Sequence, residues 1–106
     1  MFVKVSAGGN VTLEDPGNFR AFKVMVEGSS DKIDNARRAL MGLADVSDKD
    51  TAWVFEAGLR KRQEVAQDAA WQQSLGTMID KARPHGWIDD ARKAIKAHVE
   101  WQDKSA

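Results

Sequence analysis

Apolar and polar residues alternate without a break near the end of the chain. Ile95, Ala97, Val99 and Trp101 share one parity, while Lys96, His98, Glu100 and Gln102 share the other. A period of two is the signature of a strand with one face buried. The same residues also fit a helix, with Ile88, Ala91, Ile95 and Val99 as its stripe and Asp89 or Asp90 as its cap. In that alternative, Asp89–Gln102 packs against Asp68–Arg83 as a helical hairpin across the Pro84-His85-Gly86 break. The unbroken alternation favours the strand, beginning near Ala94.

The same rhythm appears earlier. Val3, Val5 and Ala7 define a strand over Phe2–Ala7, and Gly8-Gly9-Asn10 supplies a tight reversal into Val11-Thr12-Leu13. Asp15-Pro16-Gly17-Asn18 reads as a turn. Phe22, Val24 and Val26 then alternate with Lys23, Met25 and Glu27, predicting a strand over Ala21–Glu27. Ser29-Ser30-Asp31 caps a helix expected to run from Asp31 to Ala44, with Ile33, Ala36, Leu40 and Leu43 on its buried face. Asp45–Asp50 is a polar connector, and Thr51–Phe55 is dense in strand formers. A helix opens at Ala57, weakened by Gly58. A second helix begins after Asp68, with Trp71, Leu75, Met78, Ile79 and Ala82 as its stripe, and stops before Pro84. Whether Ala57–Arg83 is one bent helix or two stays open.

These elements predict an α+β fold: a small two-layer sandwich with about four strands, in an antiparallel or mixed sheet, and two main helices on one face. A chain of 106 residues forms a single domain. Its four Trp, four Phe and four Met help supply a core that needs no covalent staple, which matters because cysteine is absent. That absence excludes disulfides and thiolate chemistry, and suits a reducing compartment. No apolar run reaches the roughly 18–20 residues of a membrane span, and Met1–Ala7 lacks the pattern of a signal peptide. The expected location is therefore cytoplasmic. Sixteen basic residues cancel sixteen acidic ones, which argues against a nucleic-acid partner, since phosphate neutralisation drives that binding.

Candidate chemistry is sparse. On a strand, Lys96, His98 and Glu100 project from one face, with neighbours ~7 Å apart along the chain. Imidazole beside carboxylate is raw material for acid–base chemistry, so His98 and Glu100 are the catalytic candidates. Lys96, which can hold an anion, joins Trp53 and Trp87 as ligand-binding candidates; Trp71 and Trp101 lie on apolar faces and read as core. Alternating charges on a solvated sheet face give the same pattern with no chemistry. Asp45, Asp48 and Asp50 lack the spacing, central glycine and late glutamate of a calcium loop, and two histidines without a third ligand do not predict a metal site. Arg60-Lys61-Arg62 is spread around a helix rather than gathered into a patch. No cofactor motif is present. The expected function is a non-catalytic interaction or dimerisation module, a homo-oligomer pairing through a sheet face or edge. The alternative is a small-molecule-binding protein or enzyme using the polar face around His98 and Glu100, its ligand unspecified.

Overall fold

The computed structural model describes residues 1–102. Its strands are β1 (Phe2–Val5), β2 (Val11–Glu14), β3 (Lys23–Glu27), β4 (Ala44–Val46), β5 (Thr51–Phe55), β6 (Ile88–Asp89) and β7 (Ala94–Gln102). Its helices are α1 (Ile33–Ala39), α2 (Glu56–Arg60) and α3 (Ala69–Ala82). The strands form one seven-stranded mixed sheet in the order β2-β1-β3-β7-β5-β4, with β6 also on β7. The sheet curls into a half-barrel.

The expected four-strand, two-layer sandwich under two main helices is thus corrected to a sheet-dominated fold with three short helices. Two causes stand out. β4 and β6, of three and two residues, are too short to carry a period. The helix expected over Asp31–Ala44 covers only Ile33–Ala39 after a 3-10 turn at Ser30–Lys32. Gly42 adopts φ 85°, a left-handed conformation that ends helices. The buried positions Leu40 and Leu43 are reached through that turn, and Ala44 is already strand. The polar connector shrinks accordingly, because Asp45 and Val46 belong to β4.

β7 carries the sheet. It runs parallel to β3 over His98–Gln102, antiparallel to β5 over Ala94–His98, and antiparallel to β6 at Ala94 and Ile95. The helical alternative for this segment fails for a local reason. Asp89 Oδ1 accepts from the Ala91 and Arg92 N–H groups, closing a turn, and Lys93 follows at φ 52°. Ile95, Ala97 and Val99 are buried and Lys96 and His98 exposed, as the alternation requires. Trp101 is half-buried, its indole donating to the Lys49 carbonyl at 2.6 Å.

The core joins the inward parity of the sheet (Val3, Val24, Val54, Ala97 and Val99 among them) to Leu40, Leu59, Trp71, Leu75 and Ile79 from the helical layer. α2 and α3 are separate helices. Asp68 caps α3, its Oδ1 accepting from the Trp71 N–H at 3.0 Å.

Gly58 in α2 approaches the β4 entry closely. A Cβ there would stand 2.8 Å from the Gly42 carbonyl oxygen and 3.2 Å from Leu43 Cα. Gly-to-Ala in a helix interior ordinarily stabilises by about 1 kcal/mol. Here the backbone oxygen cannot swing aside, so Gly58→Ala is expected to destabilise by about 1–3 kcal/mol instead. A lowered urea midpoint at unchanged slope checks it.

Candidate functional site

The registers along β7 explain where the molecule opens. β6 leaves β7 after Ile95, with the Lys96 N–H still donating to the Trp87 carbonyl at 2.7 Å, and β3 joins at His98, so among the described residues the strand pairing on that side is interrupted between Lys96 and His98. A cleft of about 900 Å³ lies at this split. That volume falls within the ~300–1,000 Å³ typical of small-ligand sites.

Three elements besides β7 form most of its walls, and Asp50 and Thr51 at the entry to β5 complete them. α3 contributes Ser74, Met78 and Lys81, spaced four and three residues apart and so on one helical face beside the buried stripe. The segment before β3 contributes Phe19, Arg20 and Phe22. That segment is tied down at both ends: the Met1 nitrogen donates to the Asn18 and Ala21 carbonyls at 2.6 and 3.0 Å, and the Trp71 indole donates to the Pro16 carbonyl at 2.8 Å. The turn after α3 supplies His85 and Trp87, whose rings stack at 4.6 Å and 21°. Gly86 between them sits at φ 78°, a conformation that favours glycine. Trp87 is 50% exposed, a large apolar wall offered to solvent.

The cleft's charge is lopsided although the chain's is balanced. Arg20, Lys81, Lys96 and both histidines line it, against Asp50 as its only carboxylate among the described residues, and Asp50 lies 3.5 Å from Lys49. Among the described residues, Arg20, Lys81 and Lys96 have no carboxylate within ion-pair distance. Arg20 stands apart from the other arginines. The guanidinium groups of Arg37, Arg38, Arg60, Arg62, Arg83 and Arg92 all donate to protein acceptors, whereas that of Arg20 has no acceptor among the described residues.

Of the residues singled out in the sequence, Lys96, His98 and Trp87 meet in this cleft, and Glu100 and Trp53 do not. His98 stands opposite Lys23 on β3 and Thr51 on β5. Glu100 is taken by Lys23, whose Nζ lies 2.7 Å from its Oε2. The hydrogen bond and charge of Lys23, with the His98 charge added, hold the Glu100 carboxyl below the usual glutamate range. That direction moves it away from the near-neutral value a general base needs. Trp53 lies on the outward sheet face opposite Lys96 and Asp45, with the Arg92 guanidinium 5.6 Å from its ring centre.

Sequence reasoning missed Phe19, Phe22, Arg20, Met78 and Lys81. Met78 was legible only as core, and an isolated arginine in a loop carries no signal until the chain folds around it. Asp45, Asp48 and Asp50 are also dispersed: Asp45 pairs with Arg92 at 2.9 Å, and Asp48 accepts from the Asp50 and Thr51 N–H groups. Among the described residues no helix is long and apolar enough to cross a membrane. No family model, curated protein or solved structure matches the chain.

Proposed function

We propose that the protein binds a small organic molecule in the cleft between α3, the Phe19–Phe22 segment and the split edge of β7. The observation that carries this reading is the split itself. It opens a cavity of ligand size beside an aromatic wall on which a flat molecule can stack. The cysteine-free composition suits a reducing compartment, and we assign the protein to the cytoplasm on that ground.

Binding is favoured over catalysis because the Glu100 carboxylate is engaged by Lys23 and is not among the residues lining the cleft with His98. It is also favoured over dimerisation by edge pairing. Two of the outward groups of β4 are occupied, the Ala44 N–H by the Leu40 carbonyl at 2.9 Å and the Val46 carbonyl by Arg37 Nε at 3.0 Å. On β2 the Leu13 N–H and the Val11 carbonyl are covered by Glu64 and Arg62. A nucleic acid needs a basic track along its backbone, for which one cleft on a neutral chain is a poor match.

Ser74→Trp and Thr77→Trp fill the cleft from exposed helix positions, where substitution ordinarily changes stability by less than about 0.5 kcal/mol. A thermal-shift screen of metabolites is expected to yield a stabiliser of the wild type that neither variant responds to. A ligand at a hundred times its Kd adds about 2.7 kcal/mol, well within detection. A hit that stabilises Ser74→Trp equally would remove the cleft from the proposal.

A further inference from the structure

The cleft's two unlike surfaces narrow the ligand class. From them we infer, resting on the binding reading above, that the natural ligand is a flat amphipathic anion: an aromatic or polycyclic body carrying a carboxylate or similar acid.

The argument begins with the cations. Arg20, Lys81 and Lys96 come from three separate elements, the loop before β3, α3 and β7, and converge on one cavity. On the rest of this surface, arginines are matched to carboxylates or carbonyls, as in Arg60 with Glu56 at 2.9 Å and Arg83 with Asp80 at 2.9 Å. Asp50 is the single carboxylate among the described lining residues, so the three cations outnumber it and repel one another, at a cost to the empty protein. An anion in the cleft removes that cost, and a guanidinium with free donors suits a planar carboxylate through paired hydrogen bonds.

The body of the ligand follows from the other surface. Phe19, Phe22, Met78, Ile95 and Ala97 give the cleft an apolar side, and the stacked His85–Trp87 pair gives it a flat one. Inorganic phosphate or a small dicarboxylate would leave that surface wetted. A neutral hydrocarbon would leave the cations unanswered. A molecule with both parts satisfies both surfaces. Partial exclusion of water by the apolar side also strengthens the ionic contacts relative to bulk solvent.

Two fluorescent probes with the same ring skeleton test this: 1-anilinonaphthalene-8-sulfonate and its neutral counterpart N-phenyl-1-naphthylamine. Both are titrated into the full chain, with energy transfer from tryptophan as a second readout. The sulfonate is expected to bind about tenfold tighter, the worth of one charge-assisted contact. The combined variant Arg20→Gln, Lys81→Gln, Lys96→Gln should erase that difference. High salt should narrow it in the wild type. Equal affinities for the two probes, both lost in Ser74→Trp, would overturn the anion assignment and leave the cleft as a binding site. A sulfonate preference that survives in the triple variant would also overturn it, since other cations would then be responsible. If neither probe binds, or Ser74→Trp has no effect on either, the binding reading itself falls. Circular dichroism and the unfolding midpoint of each variant separate loss of binding from loss of fold.

Discussion

Trp71→Ala is expected to cost about 3–5 kcal/mol, the range for truncating a buried large aromatic. Against a total stability of order 5–15 kcal/mol for a domain, that leaves a marginal protein. Trp71 is 5% exposed and joins three parts of the molecule. Its backbone N–H receives the Asp68 cap, its ring lies 5.9 Å from that of Phe19, and its indole N–H holds the Pro16 carbonyl. The loss therefore reaches beyond the core into the Phe19–Phe22 segment that walls the cleft. Trp71→Phe separates the contributions, because it keeps a ring and removes the hydrogen bond, for an expected loss of about 0.5–1.5 kcal/mol on the bond alone plus the smaller ring. Denaturant unfolding of both variants gives the stabilities. Amide hydrogen exchange at residues 17–22 should accelerate in Trp71→Phe before global unfolding does. Unchanged exchange there would mean that the Met1 contacts alone fix the segment.

The parts of this structure visible in the sequence are those decided by neighbours along the chain. The alternation of β7, the Asp68 cap and the glycine turns each need only a short window. The two brief strands escaped because their pairing depends on remote partners. β4 exists because Asp45 and Val46 find Trp53 and Ala52, and β6 because Ile88 and Asp89 find Ile95 and Ala94. Gly42 was the local clue to the first, a helix stop inside an otherwise convincing stripe. The candidate site divides along the same line. Lys96, His98 and Trp87 drew notice as chemically suggestive residues in one segment. The neighbours that make a cleft of them come from Phe19–Phe22 and Ser74–Lys81, and no pattern local to either segment announces that meeting. Glu100 shows the converse. Its proximity to His98 along β7 suggested a pair, but β3 brings Lys23 to it instead.

The basic triplet at Arg60–Arg62 had a structural purpose that its sequence concealed, and its removal carries the second large prediction. Arg60 reaches Glu56 and the Gln72 carbonyl, bracing α2 against α3. Arg62 and Glu64 do something different: they cover the free edge of the sheet. Glu64 Oε2 accepts from the Leu13 N–H at 2.7 Å, and Arg62 Nη2 donates to the Val11 carbonyl at 2.8 Å. Both groups belong to the side of β2 away from β1. The two side chains therefore make the bonds that an added strand would make, and an uncovered edge is a template for association. Arg62→Ala with Glu64→Ala is expected to leave both groups open, costing about 1–3 kcal/mol wherever water does not reach them. It should also convert the chain to concentration-dependent dimers or larger species in sedimentation velocity. Acid should weaken the same cover. Partial burial raises the Glu64 carboxyl, but hydrogen bonds from Arg62 and the Leu13 N–H, with the Arg62 charge, outweigh it and hold the carboxyl below the usual glutamate range. A depressed value in the folded state means that Glu64 adds stability above the unfolded value. This contribution begins to fade below about pH 5 and is lost as pH falls through the folded value. Glu64→Gln keeps an acceptor oxygen without the titration, so it should flatten the stability profile below pH 5 while remaining monomeric near neutrality. A double alanine variant that stays monomeric at millimolar concentration would show that twist and side chains elsewhere on β2, not this pair, keep the edge from pairing.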